Sequence, residues 1–239
     1  MPHITRVLLI LLSIFSAVAY AQPYDRVASL AGNGSSQKDG VDVQGELPDL
    51  IRALDRVTHT KTKIILRPFA RSLLETAEGN ADFHMPFIQV DDLPAPKGLA
   101  YVTEVAIGKR PFVIYSRKAD PLDVHTVGKN KVVLIEAGHS SFFPFPVTES
   151  SCMSCSLDMV LLKRADALVV ANDIVDPLLV DPKYKSIHRA LYKSYPVRAL
   201  VNANADSTAT RRYLIEGVTR LMQSGEMAKS LNEYSDWQP

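Results

Sequence analysis

Several things that would mark a partner or a reaction are missing from this chain, and each absence closes off a class of function. Charge of one sign is absent: 27 Lys+Arg face 26 Asp+Glu, and the first 21 residues hold one basic residue, Arg6, and no acid. A chain so balanced gives no electrostatic reason to expect nucleic acid or an anionic membrane as partner. After residue 19 no apolar run reaches the length needed to span a bilayer. There is no G-x-S-x-G, no H-E-x-x-H and no phosphate-binding glycine loop, so the familiar signatures of hydrolases, zinc proteases and nucleotide enzymes are lacking. A catalytic pair could be imagined from Glu104 and Asp173, but nothing in the sequence brings them together. Enzyme is therefore the weaker class. No tandem repeat of short period is present either.

What is present begins at the N-terminus. Arg6 precedes the apolar run VLLILLSIFSAVA (7–19), and Ala19-Tyr20-Ala21 places small residues at −3 and −1 of a cut before Gln22. This is the pattern of a cleaved secretory signal over residues 1–21, the alternative being an uncleaved anchor. The expectation is a periplasmic protein. Hydrophobic residues make up 46% of the chain, ample for one large domain or two lobes.

Cysteine is scarce: two residues, Cys152 and Cys155, in SSCMSCS (150–156). In an exported chain an even count favours pairing. A Cys152–Cys155 bond would staple a turn or a first helical turn, with a local benefit only, because the ring is so small. A redox-active dithiol or a metal role remains the alternative. Haem attachment fails because Ser156, not His, follows the second cysteine.

Along the chain, 24–32 reads as a strand and 32–45 as a Gly/Ser/Asn-rich loop. Residues 46–60 form an amphipathic helix with Leu47, Leu50, Ile51, Leu54 and Val57 on one face. A short strand (61–68), a helix (71–78) that Gly79 can stop in the left-handed conformation, and a strand cut by Pro86 (81–88) follow. This is the grammar of a parallel α/β layer. After a proline-rich loop (90–98) comes a hydrophobic strand (110–118), and the α/β grammar restarts with a strand at 131–138. A helix at 154–165, a strand at 166–173 and a short helix from Ile174 continue it. Residues 186–194 are mixed, 195–203 strand-like, and 207–234 helical. The same kind of unit thus occurs twice with a late return, which suggests two lobes with 110–118 and 195–203 as crossovers.

The ordered set Pro68-Phe69, Arg71-Ser72-Leu73, Gly79, Ala81-Asp82, IEAGHSS (135–141), KRADALVV (163–170) and Asn172-Asp173 resembles the family 3 periplasmic solute-binding proteins. These are the substrate-binding components of polar amino-acid ABC importers. The resemblance implies an α/β fold of type II periplasmic binding proteins. Lobe I would comprise 22–115 plus 197–239, lobe II 116–196, and two crossover strands would join them. It implies no cofactor and no metal, a monomer, a small polar solute as ligand, and an inner-membrane ABC permease or a membrane signalling partner.

In such a fold, strand C-termini and helix N-termini face the cleft. Gly138, Ser140 and Ser141 are then candidate donors, Phe69 a stacking surface, Arg67 and Arg71 carboxylate forks, and Asp173 an acceptor for an ammonium. His84 and Met85 stand where the family's ligand-facing loop begins. The bland alternatives are an Arg71–Glu75 pair at helical spacing and a half-buried, hydrogen-bonded His84. One departure stands out: amino-acid binders of the family carry an arginine shortly after the strand that follows Ala-Asp, and here none occurs before Arg110. That opens two other readings: a sensor or accessory module of the same fold, and a redox or metal-handling protein centred on the cysteine pair.

Overall fold

The computed structural model describes residues 24–31 and 43–227. The expected export signal, most of the Gly/Ser/Asn-rich loop and the end of the helical tail lie outside the described residues. Among the described residues no helix is long and apolar enough to cross a membrane.

The first half alternates strand and helix as the hydrophobic pattern predicts. Strand β1 (Arg26–Ala31) is followed by α1 (Glu46–Thr58), β2 (Thr62–Arg67), α2 (Phe69–Ala77) and β3 (Phe83–Ile88). β1 lies between β2 and β3 and is parallel to both. Helix α1 presents Leu50, Ile51 and Leu54 to the sheet, all fully buried, each contributing about 1.5–3 kcal/mol of transfer free energy. His59, which caps its C-terminus, takes the left-handed conformation. Helix α2 stops as expected: Gly79 has φ 79°, and the Gly79 and Asn80 amides close back onto Thr76 and Glu75.

The second half is built around strands covered on both faces. After β4 (Leu99–Tyr101) come β5 (Gly108–Arg117), β6 (Val133–Glu136), β7 (Thr148–Ser150), α3 (Met153–Leu161), β8 (Ala167–Ala171), the single-turn α4 (Asn172–Val175), β9 (Ile187–Asn202) and α5 (Thr208–Gln223). On β5, Phe112 and Ile114 enter one core while Val113 and Tyr115 enter another. On β8, Ala167, Val169 and Ala171 alternate with Leu168 and Val170 in the same way. Apolar runs without polar alternation are what two covered faces require.

All strands join one sheet in the order β2-β1-β3-β9-β5-β8-β6-β7, with β4 added on β9. One core lies under α1 and α5 against β1–β3 and the C-terminal half of β9. The other two flank β5, β6 and β8. β5 and β9 run antiparallel along nearly their whole shared length and connect the two regions. The fold is a mixed α/β, two-lobed architecture.

The boundaries differ from expectation in three places. Of the segment 186–194, which read as mixed, residues 187–194 belong to the 16-residue strand β9. Its burial is irregular there because only one side packs on β5. The expected helix at 154–165 closes at Leu161. The two three-residue strands β4 and β7 carry no apolar pattern long enough to announce them.

Candidate functional site

A cavity of about 390 Å³ opens where the two lobes meet, at the C-terminal ends of β3, β6 and β8. One wall comes from Phe69 and Leu73 of α2, from Pro86, Phe87 and Ile88 of β3, from Tyr101 and from the proline-rich loop after β3. The opposite wall comes from Phe112 of β5, the turn Glu136–His139, Ser141 and Phe142, with Arg110 between. Most of this lining is apolar or aromatic.

The aromatic wall is put together by an irregularity in β3. Phe83 and Met85 alternate into the core, and strict alternation would send Phe87 after them. The β3–β9 register shifts between His84 and Phe87, which face Leu200 and Arg198, two positions apart on β9. Phe87 therefore comes to the same side as His84, and its ring stacks on Phe69 at 5.8 Å with 13° between planes. Bulges of this kind re-aim a side chain. Phe69 is half exposed, so the stack offers a flat surface to the cavity. Across the space, His139 and Phe142 meet edge to face at 4.8 Å, and Phe112 meets Phe142 at 6.3 Å.

The polar groups are few. Arg110 holds Asp173 in a two-point ion pair, Nε to Oδ1 at 3.1 Å and Nη2 to Oδ2 at 2.6 Å. Arg110 lines the cavity and Asp173 stands behind it. Such a fork fixes the guanidinium plane. Glu136 ends β6 with His139 Nδ1 3.8 Å from its carboxylate. The turn after β6 contains Gly138, whose φ of 87° is costly for any residue with a Cβ. Glu149 of β7 braces this turn. It accepts a hydrogen bond from Ser140 Oγ, and that hydroxyl together with the Gly138 and Ser140 amides holds its carboxyl below the usual range.

Of the residues expected at the site, Phe69, Gly138 and Ser141 line the cavity. Arg67 and Arg71 do not; both Nε atoms lie 3.1 Å from Oε1 of Glu75, a nearly buried carboxylate that they share. Arg71 thus takes the helical-spacing partner that the sequence offered it. Met85 is fully buried in the core beneath α1 and α5. His84 is fully buried one layer behind the aromatic stack, 5.5 Å from the Phe69 ring and 6.1 Å from Phe87, with Ser72 Oγ 2.6 Å from Nδ1. Burial pushes its pKa down from 6.5 to about 4, the Pro86 carbonyl offsetting a little of this. Ser140 is engaged with Glu149, and Asp173 with Arg110. Cys152 and Cys155 are bonded to each other at the start of α3, away from the cavity.

Residues that sequence reasoning missed are Arg110, Glu136, Phe87, Tyr101, Phe112 and Phe142. The signal for Arg110 was its place at the start of a crossover strand, opposite Asp173 just beyond β8. Nothing in the local pattern reveals Phe87, because its direction depends on the bulge.

No family model and no curated protein sequence matches the chain. The fold, in contrast, matches many solved structures. A probable amino-acid ABC transporter extracellular-binding protein from Bacillus subtilis aligns with TM-score 0.64 at 14% identity, over 87% of this chain and 97% of that one. The GluR0 ligand-binding core in complex with L-glutamate aligns with TM-score 0.63 at 12% identity, again over 87% and 97%. A histidine kinase sensor domain with similarity to periplasmic binding proteins aligns with TM-score 0.59 at 12% identity, over 88% and 96%. The chain thus shares the fold of these periplasmic-binding-protein-like domains. These neighbours are binding proteins and sensor domains.

Proposed function

We propose that this chain is an exported, non-enzymatic binding protein that captures a small solute between its lobes and presents it to a membrane partner. Lobe I would be residues 22–115 with 197–239, and lobe II residues 116–196. The observation that carries the reading is the cavity itself, with the Phe69–Phe87 stack on lobe I facing the His139–Phe142 pair on lobe II. A ligand touching both would favour the closed arrangement by its differential contacts. The lining moves the proposed ligand from a wholly polar solute to an amphipathic one. A flat or branched apolar body would lie against the aromatic rings, with one polar end near Arg110 and Glu136.

Two membrane partners fit this role. An ABC permease is favoured by the transporter binding proteins among the structural neighbours, and a signalling receptor by the sensor domain among them. A thermal-shift screen tests the binding reading. Saturating ligand at a hundredfold excess over Kd stabilises by about 2.7 kcal/mol. Aromatic and branched-chain amino acids, aryl carboxylates and arylalkylamines should outrank glutamate, arginine and sugars. If no small solute raises the melting temperature, or if the hits are indifferent to both Phe69→Ala and Arg110→Met, the reading fails. Uptake of the hit by cells lacking the gene, set beside their transcriptional response to it, separates transport from sensing.

A further inference from the structure

The Cys152–Cys155 disulfide stands apart from the cavity, and the solute-binding role makes no use of it. Its position is hard to explain as a staple. Only two residues separate the cysteines, so the chain entropy removed from the unfolded state is small. Helix α3 is also secured without it. Leu157 and Val160 are fully buried, and Ser156 Oγ bonds the Cys152 carbonyl at 2.9 Å and Ser150 Oγ at 2.8 Å.

The two sulfurs have different surroundings. Cys152 is the N-cap of α3 and half-buried, and its Sγ accepts the Cys155 amide hydrogen at 3.2 Å, with Ser154 Oγ 3.6 Å away. Cys155, in the first turn, is exposed. An amide hydrogen at a helix start stabilises a thiolate. Of the two sulfurs, Cys152 is therefore the better leaving group and Cys155 the more accessible target.

We propose that Cys152–Cys155 is a reversible thiol–disulfide exchange site. An incoming thiolate RS⁻ attacks Cys155 Sγ. The Cys155–S–R bond forms, the Cys152–Cys155 bond breaks, and the electron pair leaves on Cys152. A second thiolate from the same reductant attacks the sulfur of R and displaces the Cys155 thiolate. R–S–S–R is released, and the protein dithiol has gained two electrons and two protons. In the reverse direction Cys155 engages a disulfide and Cys152 resolves it. The reductant is a thiol, supplied either by a small molecule or by a dithiol protein.

The purified, folded chain is treated separately with reduced glutathione, dithiothreitol and thioredoxin, then acid-quenched and thiol-labelled for mass spectrometry. Millimolar thiol should reduce the bond within minutes while the circular dichroism is unchanged, and the oxidised and reduced forms should melt within a few degrees of each other. Faster reaction with thioredoxin than with equal dithiothreitol assigns the source to a dithiol protein, and the converse to a small thiol. With oxidised glutathione, Cys152→Ser should trap a stable mixed disulfide on Cys155. Cys155→Ser should trap one on Cys152 at least tenfold more slowly. The proposal is overturned if the bond yields only in urea, if reduction unfolds the protein, or if the two variants trap glutathione equally.

Discussion

Acid should weaken this protein through one buried imidazole. His84 is fully buried behind the Phe69–Phe87 stack, and its Nε2 makes no hydrogen bond. Burial lowers its pKa from 6.5 to about 4, so the folded state holds the ring neutral over a range in which the unfolded chain protonates it. Above pH ~6.5 both states are neutral there and the group has no pH-dependent effect. As pH falls from ~6.5 toward ~4 the unfolded state takes up the proton first, and stability drops with it. The full loss is about 3 kcal/mol, of which about 2 kcal/mol has gone by pH ~5. His84→Asn is the control, because its side-chain oxygen can replace Nδ1 as acceptor for Ser72 and does not titrate. Urea unfolding of both proteins at pH values from about 7.5 to 5 isolates the group, since all other titrations are shared. The advantage of wild type over the variant should shrink by about 2 kcal/mol across that range. Parallel stability–pH curves would show that the imidazole is not held neutral by burial.

Three further substitutions probe the site and its support. Phe69→Ala removes half of the aromatic stack from a half-exposed position, so ligand affinity should fall about tenfold by titration calorimetry, while urea stability changes by less than ~1 kcal/mol. Gly217→Ala should destabilise by about 1–2 kcal/mol, although alanine is the better helix former. A Cβ there would stand 2.7 Å from Cδ2 of the fully buried Leu54, and a melting temperature that rises would refute the close packing of α1 on α5. Tyr213→Phe should cost about 1–1.5 kcal/mol in urea unfolding, because the phenol donates to Asp55 Oδ1 at 2.9 Å and receives Thr62 Oγ1 at 3.3 Å. No loss would mean that Asp55 is already satisfied by Thr60 and Thr62.

The fold was more legible in the sequence than the site, for a reason visible in particular residues. Leu50, Ile51 and Leu54 report a helix because burial of one face repeats with the helical period, and runs such as ALVVA in β8 report a strand covered on both sides. Such signals are local and recur several times, so the α/β order and the crossovers could be read from them. The site depends on single side chains brought together over long separations. Arg110 meets Asp173 across 63 positions because β5 pairs with β8, a register that no local pattern specifies. Arg67 and Arg71 show the opposite problem. Their residue type and the family resemblance pointed to a ligand, yet Glu75 lies one helical turn beyond Arg71 and within reach of both. A carboxylate that is nearly buried needs its counter-charge close by, so the arginines are drawn to it. His84, Met85 and Phe87 make the case within a single strand. Period-two alternation places His84 and Met85 on opposite faces, which puts Met85 in the core. One register shift then turns Phe87 outward to stack on Phe69. A ligand surface that depends on such a shift cannot be read from alternation, because it arises where the alternation breaks.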